Sequence, residues 1–235
     1  MAGPLALVGG APFTDGCTFD RELVEASGGR EVLVLPTGAA FEHPARLVER
    51  AASWFGAMGT TSRGLGVLGR PDAFDAGNAA AVRAAGFVYL AGDSPMHLRS
   101  VLKDTPVWEA LVEAWRGGAV LAAAGGGAMV LCDPMVDPRG GAFTVGLGLV
   151  RGITVVPEFE RWSAEVVHRT RRLSPADLVM IGLPSATAVL RDAGGAWAVA
   201  GVGEVSVFRG GEPAMLGDLP ASVEVDVRPA SSPTR

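Results

Sequence analysis

The sequence predicts an α/β protein in which parallel strands alternate with crossover helices. Short apolar runs alternate along the chain with longer amphipathic segments, which is the pattern of successive βαβ units. Of the 235 residues, 49% are hydrophobic and 19% are charged, so the chain can build a large buried core. Its 33 glycines lie between these apolar runs, which indicates tight turns rather than disorder.

The first half of the chain contains four predicted strands, each a short apolar run that ends near glycine or proline. They cover residues 5–8, 31–35, 65–68 and 87–90. Two helices are predicted between them, over residues 44–58 and 75–85. The first carries apolar side chains at helical spacing on one face, for example Leu47, Ala51 and Trp54.

Two predicted helices follow, which begin near Pro95 and Pro106, since proline is favoured in the first helical turn. A strand over residues 119–124 follows, then short strands over 145–150 and 153–156 and a basic helix over 161–173. The remaining predicted strands cover 178–183, 187–191, 196–200 and 205–208. Residues 1–220 are predicted to form a single domain, and 221–235 a flexible C-terminal tail.

Composition argues against several classes of partner. The net charge is −5 without a basic stripe, which argues against nucleic acid. No apolar run reaches the length of a membrane span, and the chain does not open like a signal peptide, so we expect a cytoplasmic protein that does not bind membranes. Its two isolated cysteines, Cys17 and Cys132, form no metal motif, and we expect neither metal nor cofactor.

Glycine-rich turns follow four of the predicted strands. Because ligands of open α/β sheets gather at the carboxyl ends of the strands, these turns predict a pocket there. The turns are Gly9-Gly10, Pro36-Thr37-Gly38, Ala91-Gly92-Asp93-Ser94 and Gly125-Gly126-Gly127.

The last of these turns has the sequence context of a nucleophile elbow. A buried strand over residues 119–124 runs through the turn directly into a helix, the arrangement that lifts a catalytic side chain clear of a sheet. Here the apex is three glycines, so the side chain that would act as nucleophile is missing.

The order of these motifs resembles the serine peptidase family of cyanophycinase and dipeptidase E. The run Arg116-Gly117-Gly118-Ala119-Val120-Leu121-Ala122-Ala123-Ala124-Gly125-Gly126-Gly127-Ala128-Met129 and the later residues 145–150 and 182–188 extend the likeness over roughly residues 5–210. The resemblance implies a three-layer α/β/α sandwich with a mostly parallel central sheet, of the class I glutamine-amidotransferase-like kind with flavodoxin-like topology. It also implies hydrolysis of small peptides or of a β-aspartyl-arginine polymer.

The resemblance places other residue types in all three positions of the catalytic triad. Gly125 stands where the family has its serine nucleophile, Glu158 where it has the histidine, and Ser185 where it has the acid that orients the histidine. The family's Gly-Gly-Asp-Gln loop is altered to residues 91–94. Removal of a single triad member slows such enzymes by roughly several orders of magnitude, so we expect no hydrolysis by the family mechanism.

A binding role is therefore the first hypothesis. Backbone N–H groups of Gly126 and of the Gly92 region would still form a cradle like an oxyanion hole, which suits a small anionic or peptide-like ligand. A protein partner at the same place and a homodimer are left open, and triple glycine could equally just relax the turn. The predicted ligand-binding residues are Gly10, Gly92, Asp93, Ser94, Gly126 and Gly127.

A relocated chemistry is the second hypothesis, with Glu158 as acid and base. Pairs such as Ser185 with Glu158 or Ser94 with His43, and residual serine-type activity through Ser185 or a cysteine, are weaker alternatives. A Glu158 carboxylate that is buried beside a hydroxyl would favour chemistry, whereas an ion pair with a nearby arginine would favour binding. Cys132 is expected in the core, and the basic run 168–172 on the surface rather than in the pocket.

Overall fold

The computed structural model describes residues 1–220; the predicted tail, 221–235, lies outside the described residues. The strands are β1 (Leu5–Val8), β2 (Val32–Leu35), β3 (Ser62–Gly64), β4 (Phe87–Leu90), β5 (Val120–Ala124), β6 (Cys132–Asp133), β7 (Met135–Val136), β8 (Phe143–Thr144), β9 (Val150–Arg151), β10 (Ile153–Pro157), β11 (Val179–Leu183), β12 (Thr187–Arg191), β13 (Trp197–Gly201), β14 (Ser206–Arg209) and β15 (Glu212–Ala214).

The helices lie between the strands, as expected of crossover connections. They are α1 (Phe19–Ala26), α2 (Pro44–Ala57), α3 (Arg70–Phe74), α4 (Ala76–Ala84), α5 (Pro95–Leu102), α6 (Pro106–Arg116), α7 (Gly126–Leu131) and α8 (Ala164–Arg172). Short 3₁₀ turns cover Thr37–Ala39, Phe159–Arg161 and Leu216–Asp218.

A seven-stranded sheet forms the centre of the molecule, in the order β13-β12-β1-β5-β4-β2-β3. Its five strands from β1 to β3 run parallel, while β12 and β13 add an antiparallel edge beside β1. The fold class predicted from the sequence is confirmed.

Alternating side chains of the central strands fill two cores on opposite faces of the sheet. Val34 and Tyr89 pack with residues of α1 and α2, whereas their neighbours Leu35 and Leu90 pack with residues of α4 to α6. The apolar strands are buried on both faces, which explains why they read as continuous hydrophobic runs in the sequence.

The strands in the last third of the chain mostly form a second sheet. Its order is β10-β11-β14-β15, with β10 and β11 parallel and the other pairs antiparallel. Ile153 and Ile181 of this sheet belong to the same buried cluster as Leu35 and Leu90, so it covers one face of the central sheet beside the helices.

Two predicted strands are wrong. Residues 65–68 are not a strand. The preceding β3 pairs with β2, but the chain then turns, and Val67 N–H donates to the Leu65 carbonyl at 2.8 Å. Both side chains are buried, which accounts for the apolar pattern without strand pairing. Of residues 145–150 only Val150 enters a strand, because Leu147 N–H donates instead to the Val130 carbonyl at 2.7 Å.

Three helical features also differ from the sequence-based expectation. Helices α1 and α3 are not predicted, although α1 has a buried apolar face that includes Leu23. The predicted helix 161–173 is a 3₁₀ turn followed by α8, because the hydroxyl of Ser163 accepts from Val166 N–H at 3.3 Å and caps a new helix there.

Residues 1–220 lack two further features, a membrane-spanning helix and a cluster of metal ligands. No helix in this range combines the length and apolar character that crossing a bilayer requires. Nor do three or more His, Cys, Asp or Glu side chains in this range gather as metal ligands would.

Candidate functional site

Gly125 forms the apex of the turn that joins β5 to α7. Its backbone angles are φ 58° and ψ −122°, a conformation that favours glycine over any residue with a side chain. The turn is fixed in place because Gly125 N–H donates to the Val8 carbonyl at the end of neighbouring β1, at 3.0 Å. The sharp strand-to-helix turn expected from the sequence is therefore present.

The two glycines after the apex allow close packing. A Cβ at Gly127 would lie 2.7 Å from the Leu90 carbonyl oxygen, and one at Gly126 would lie 2.9 Å from the Pro95 nitrogen. Both obstacles are backbone or ring atoms that cannot swing away. These two glycines therefore let α7 pack directly against the turn after β4.

Asp93 lies beside the apex. A Cβ built on Gly125 would overlap the Oδ1 atom of Asp93, so this carboxylate takes the volume where a side chain at the apex would begin. The Asp93 side chain is exposed, and within residues 1–220 no hydrogen bond or ion pair engages it. A free negative charge thus stands at the position that the family resemblance gives to the nucleophile.

Glu158 contacts the same turn from the second sheet. It follows β10 in a left-handed conformation, with φ 49° and ψ 42°, and its N–H donates to the Gly9 carbonyl at 2.7 Å. Its side chain packs on Gly10. Its Oε1 accepts from Arg161 Nη1 at 2.8 Å, which is the environment that favours binding over relocated chemistry.

Ser185 pairs with Glu160 and not with Glu158. The Ser185 hydroxyl donates to Glu160 Oε1 at 2.5 Å, and its backbone N–H lies 3.2 Å from both carboxylate oxygens. Partial burial alone would raise the pKa of Glu160, but the hydrogen bonds from Ser185 and from the Glu160 backbone, with the charge of Arg161, together outweigh it, and this pKa lies below its usual range. The suggested Ser185–Glu158 pair is therefore not formed.

A cleft of about 170 Å³ joins these elements at the carboxyl ends of the strands. Four of the predicted site residues line it, namely Asp93, Gly125, Gly126 and Glu158. Its remaining lining residues are Met129, Pro138, Pro157, Arg161 and Trp162.

The other predicted site residues lie behind the cleft or beside it. Gly10 supports the Glu158 side chain, and Gly92 packs with φ 117° against the backbone of Gly38. Ser94 precedes α5, where its N–H donates to the Gly38 carbonyl at 3.1 Å. Neither Ser94 nor Ser185 lines the cleft.

The cysteines are core residues. Both are fully buried, and burial raises the pKa of Cys132 to about 12 and that of Cys17 above its usual value. Cys132 in the core agrees with the sequence-based prediction. The proposed Ser94–His43 pair is absent from the hydrogen bonds of the described chain, and His43 is exposed at the start of α2.

Met129 and Pro138 line the cleft although nothing in the sequence indicated them. Met129 belongs to the buried face of α7, and Pro138 lies in the loop between β7 and β8. No motif distinguishes either residue in the sequence. Trp162 and Arg161 line the cleft beside Glu158, and Arg161 is the nearby arginine that pairs with it.

A larger depression, of about 500 Å³, lies at the opposite ends of the strands. Arg30, Gly86 and Ala119 line it, and they precede β2, β4 and β5. Ligands of open parallel sheets bind at the carboxyl ends of the strands, and the smaller cleft is therefore the candidate site despite its size.

Comparisons with known proteins give a consistent result. The family model described as peptidase family S51 matches residues 5–196. The chain is similar to the crystal structure of a peptidase from an acI-B1 Actinobacterium, with 28% identity, a TM-score of 0.80, and coverage of 89% of this chain and 92% of that one. A protein assigned as a peptidase E from Listeria monocytogenes EGD-e shares the fold, with 16% identity, a TM-score of 0.63, and coverage of 89% and 99%. No curated protein matches the chain.

Proposed function

Because the chain belongs to peptidase family S51, we propose that it binds a small peptide-like ligand in the cleft at Gly125 and does not hydrolyse it by the serine mechanism. The family resemblance found in the sequence is confirmed. The observation that carries the proposal is the apex itself: the turn is kept, Gly125 has no side chain, and the Asp93 carboxylate takes the adjacent volume.

The residues that line the cleft supply no hydroxyl or thiol to replace the serine nucleophile. Among the residues that line it, none is a serine, threonine or cysteine. Glu158 contacts Arg161 rather than a hydroxyl or thiol from which it could take a proton. A carboxylate acting as general base needs such a proton within hydrogen-bond reach, so relocated chemistry has less support than binding.

The cleft has groups that suit a peptide-like ligand. The Arg161 side chain is 67% exposed. One of its guanidinium nitrogens pairs with Glu158, and its other N–H donors are available for a ligand carboxylate. Trp162, Pro138 and Pro157 form an apolar part of the cleft wall. At about 170 Å³ the space suits a ligand the size of one or two amino-acid residues, below the roughly 300 Å³ of sites for larger molecules.

A turnover assay separates the two hypotheses. The unmodified protein is incubated with dipeptides and with β-aspartyl-arginine, beside Glu158→Gln and, as control, Glu25→Gln on the exposed side of α1. We expect no turnover by any of the three proteins. Turnover by the unmodified protein that persists in Glu25→Gln and is lost in Glu158→Gln would overturn the binding proposal and establish relocated chemistry.

Binding is measured on the same proteins by two-dimensional amide NMR. We expect a peptide-like ligand to shift the amide signals of Gly125 and Gly126 and the indole N–H signal of Trp162. The indole of Trp197, which donates to the Pro220 carbonyl at 2.9 Å, does not line the cleft and serves as an internal reference. Absence of shifts at the cleft with every ligand would contradict the proposal.

A further inference from the structure

The charges that line the cleft do not cancel. Glu158 and Arg161 form an ion pair with each other. Asp93, by contrast, forms no ion pair or side-chain hydrogen bond with any of residues 1–220. The lining therefore carries a net charge of about −1, located at Asp93 beside the apex.

The surroundings of Asp93 suit a cation. The Trp162 indole lines the same cleft, and the face of an indole attracts ammonium and guanidinium groups. Asp93 and Gly125 both line the cleft, and Gly125 adds no side chain that would separate a ligand from the carboxylate. An anion at the same point would meet an unpaired negative charge.

We infer that the cleft selects ligands that carry a primary ammonium group, which the Asp93 carboxylate binds beside Gly125. The inference rests on the proposed binding function and adds the chemical class of the group that is recognised. A peptide-like ligand would place its amino end at Asp93 and its carboxylate toward Arg161, so that both of its charges are matched.

The test uses two probes that differ in this charge and in one acetyl group, and the Asp93 variant below separates the two effects. L-Alanyl-L-alanine and N-acetyl-L-alanyl-L-alanine are titrated at about pH 6, where α-amino groups are protonated. The amide signals of Gly125 and Gly126 report binding. We expect the free dipeptide to bind about tenfold more tightly than the acetylated one, as for a charge-assisted hydrogen bond.

The variant Asp93→Asn assigns this preference to one side chain. The Asp93 side chain is exposed and unpartnered among the described residues, so the substitution leaves the fold intact, and we expect the two probes to bind it equally. Asp177→Asn, an exposed aspartate just before β11, removes the same charge away from the cleft and should keep the preference.

Each remaining outcome counts against the inference. Equal binding of both probes to the unmodified protein, tighter binding of the acetylated probe, or a preference that survives Asp93→Asn would overturn it and leave the binding function standing. No shift of the cleft signals with either probe, together with none from β-aspartyl-arginine, would overturn both the inference and the proposed function.

Discussion

Replacement of Asp20 by asparagine is expected to change how the stability of the fold depends on pH. Asp20 lies in the first turn of α1 and is fully buried. Its Oδ2 accepts from Trp54 Nε1 at 2.8 Å, whereas its Oδ1 has no partner in residues 1–220. Burial raises the pKa of Asp20 from 3.8 to about 7, and the hydrogen bond from Trp54 offsets only part of this rise.

The sign and size of the effect follow from this pKa. Below about pH 4 both the folded and the unfolded chain keep the proton; between about pH 4 and pH 7 only the folded chain keeps it. The folded state therefore loses stability as pH rises through this window, by about 4 kcal/mol in total, and the loss is complete above about pH 7.

The neighbouring ionisable groups do not share this window. Cys17 and Tyr89 are the groups whose charges couple to Asp20, and burial raises the pKa of both above their usual values. Both stay protonated across the window. The difference in pH dependence between the unmodified protein and Asp20→Asn in this window is thus assigned to one carboxyl.

Urea unfolding of the unmodified protein and of Asp20→Asn, repeated from pH 4 to pH 8, measures the effect. The buried amide of asparagine has a cost of its own, but that cost does not vary with pH and cancels when the two curves are compared. We expect the unmodified protein to lose about 4 kcal/mol relative to the variant over the range. Trp54→Phe, which removes the hydrogen bond that lowers this pKa, should enlarge the loss. A difference that stays constant with pH would refute the reasoning.

Two further predictions concern the packing of the turn and the Ser185 contact. Gly127→Ala should destabilise the fold by about 1–3 kcal/mol, because its Cβ would meet the Leu90 carbonyl at 2.7 Å. Gly56→Ala, inside α2 with no atom within 4 Å of the new Cβ, should instead stabilise it by about 0.5–1 kcal/mol, and urea unfolding of both variants checks the opposite signs. Ser185→Ala removes the hydroxyl that helps to lower the pKa of Glu160, so this pKa should rise, as measured by carboxyl ¹³C NMR; an unchanged value would show that the hydrogen bond is absent in solution.

Much of the fold could be predicted from the sequence because its central strands are buried on both faces. Continuous apolar runs such as Val32–Leu35 and Phe87–Leu90 have few other structural solutions. The strand prediction is wrong where residues are buried without being paired in a sheet. Leu65 and Val67 are buried by the helices and loops around them while their backbone leaves the sheet, and a one-dimensional pattern does not distinguish the two cases.

The candidate site was predictable in part, for a related reason. Gly125, Gly126 and Asp93 follow directly after parallel strands of the same sheet, so the order of the strands brings them to one edge. A Ser185–Glu158 pair was one of the weaker alternatives; both residues follow strands of the second sheet, but the intervening 3₁₀ turn presents Glu160 to Ser185 instead. Such a choice between two glutamates two positions apart depends on a local turn that the sequence pattern does not specify.

The hydrogen bond from Glu158 N–H to the Gly9 carbonyl links the end of β10 to the end of β1. One wall of the cleft therefore belongs to the central sheet and the other to the four-stranded sheet. The shape of the cleft is then a property of how the two sheets dock, rather than of any single loop. A local opening that separates the two sheets would abolish the cleft while the central sheet stays folded. A ligand bound between the two walls would therefore slow amide hydrogen exchange in both sheets together.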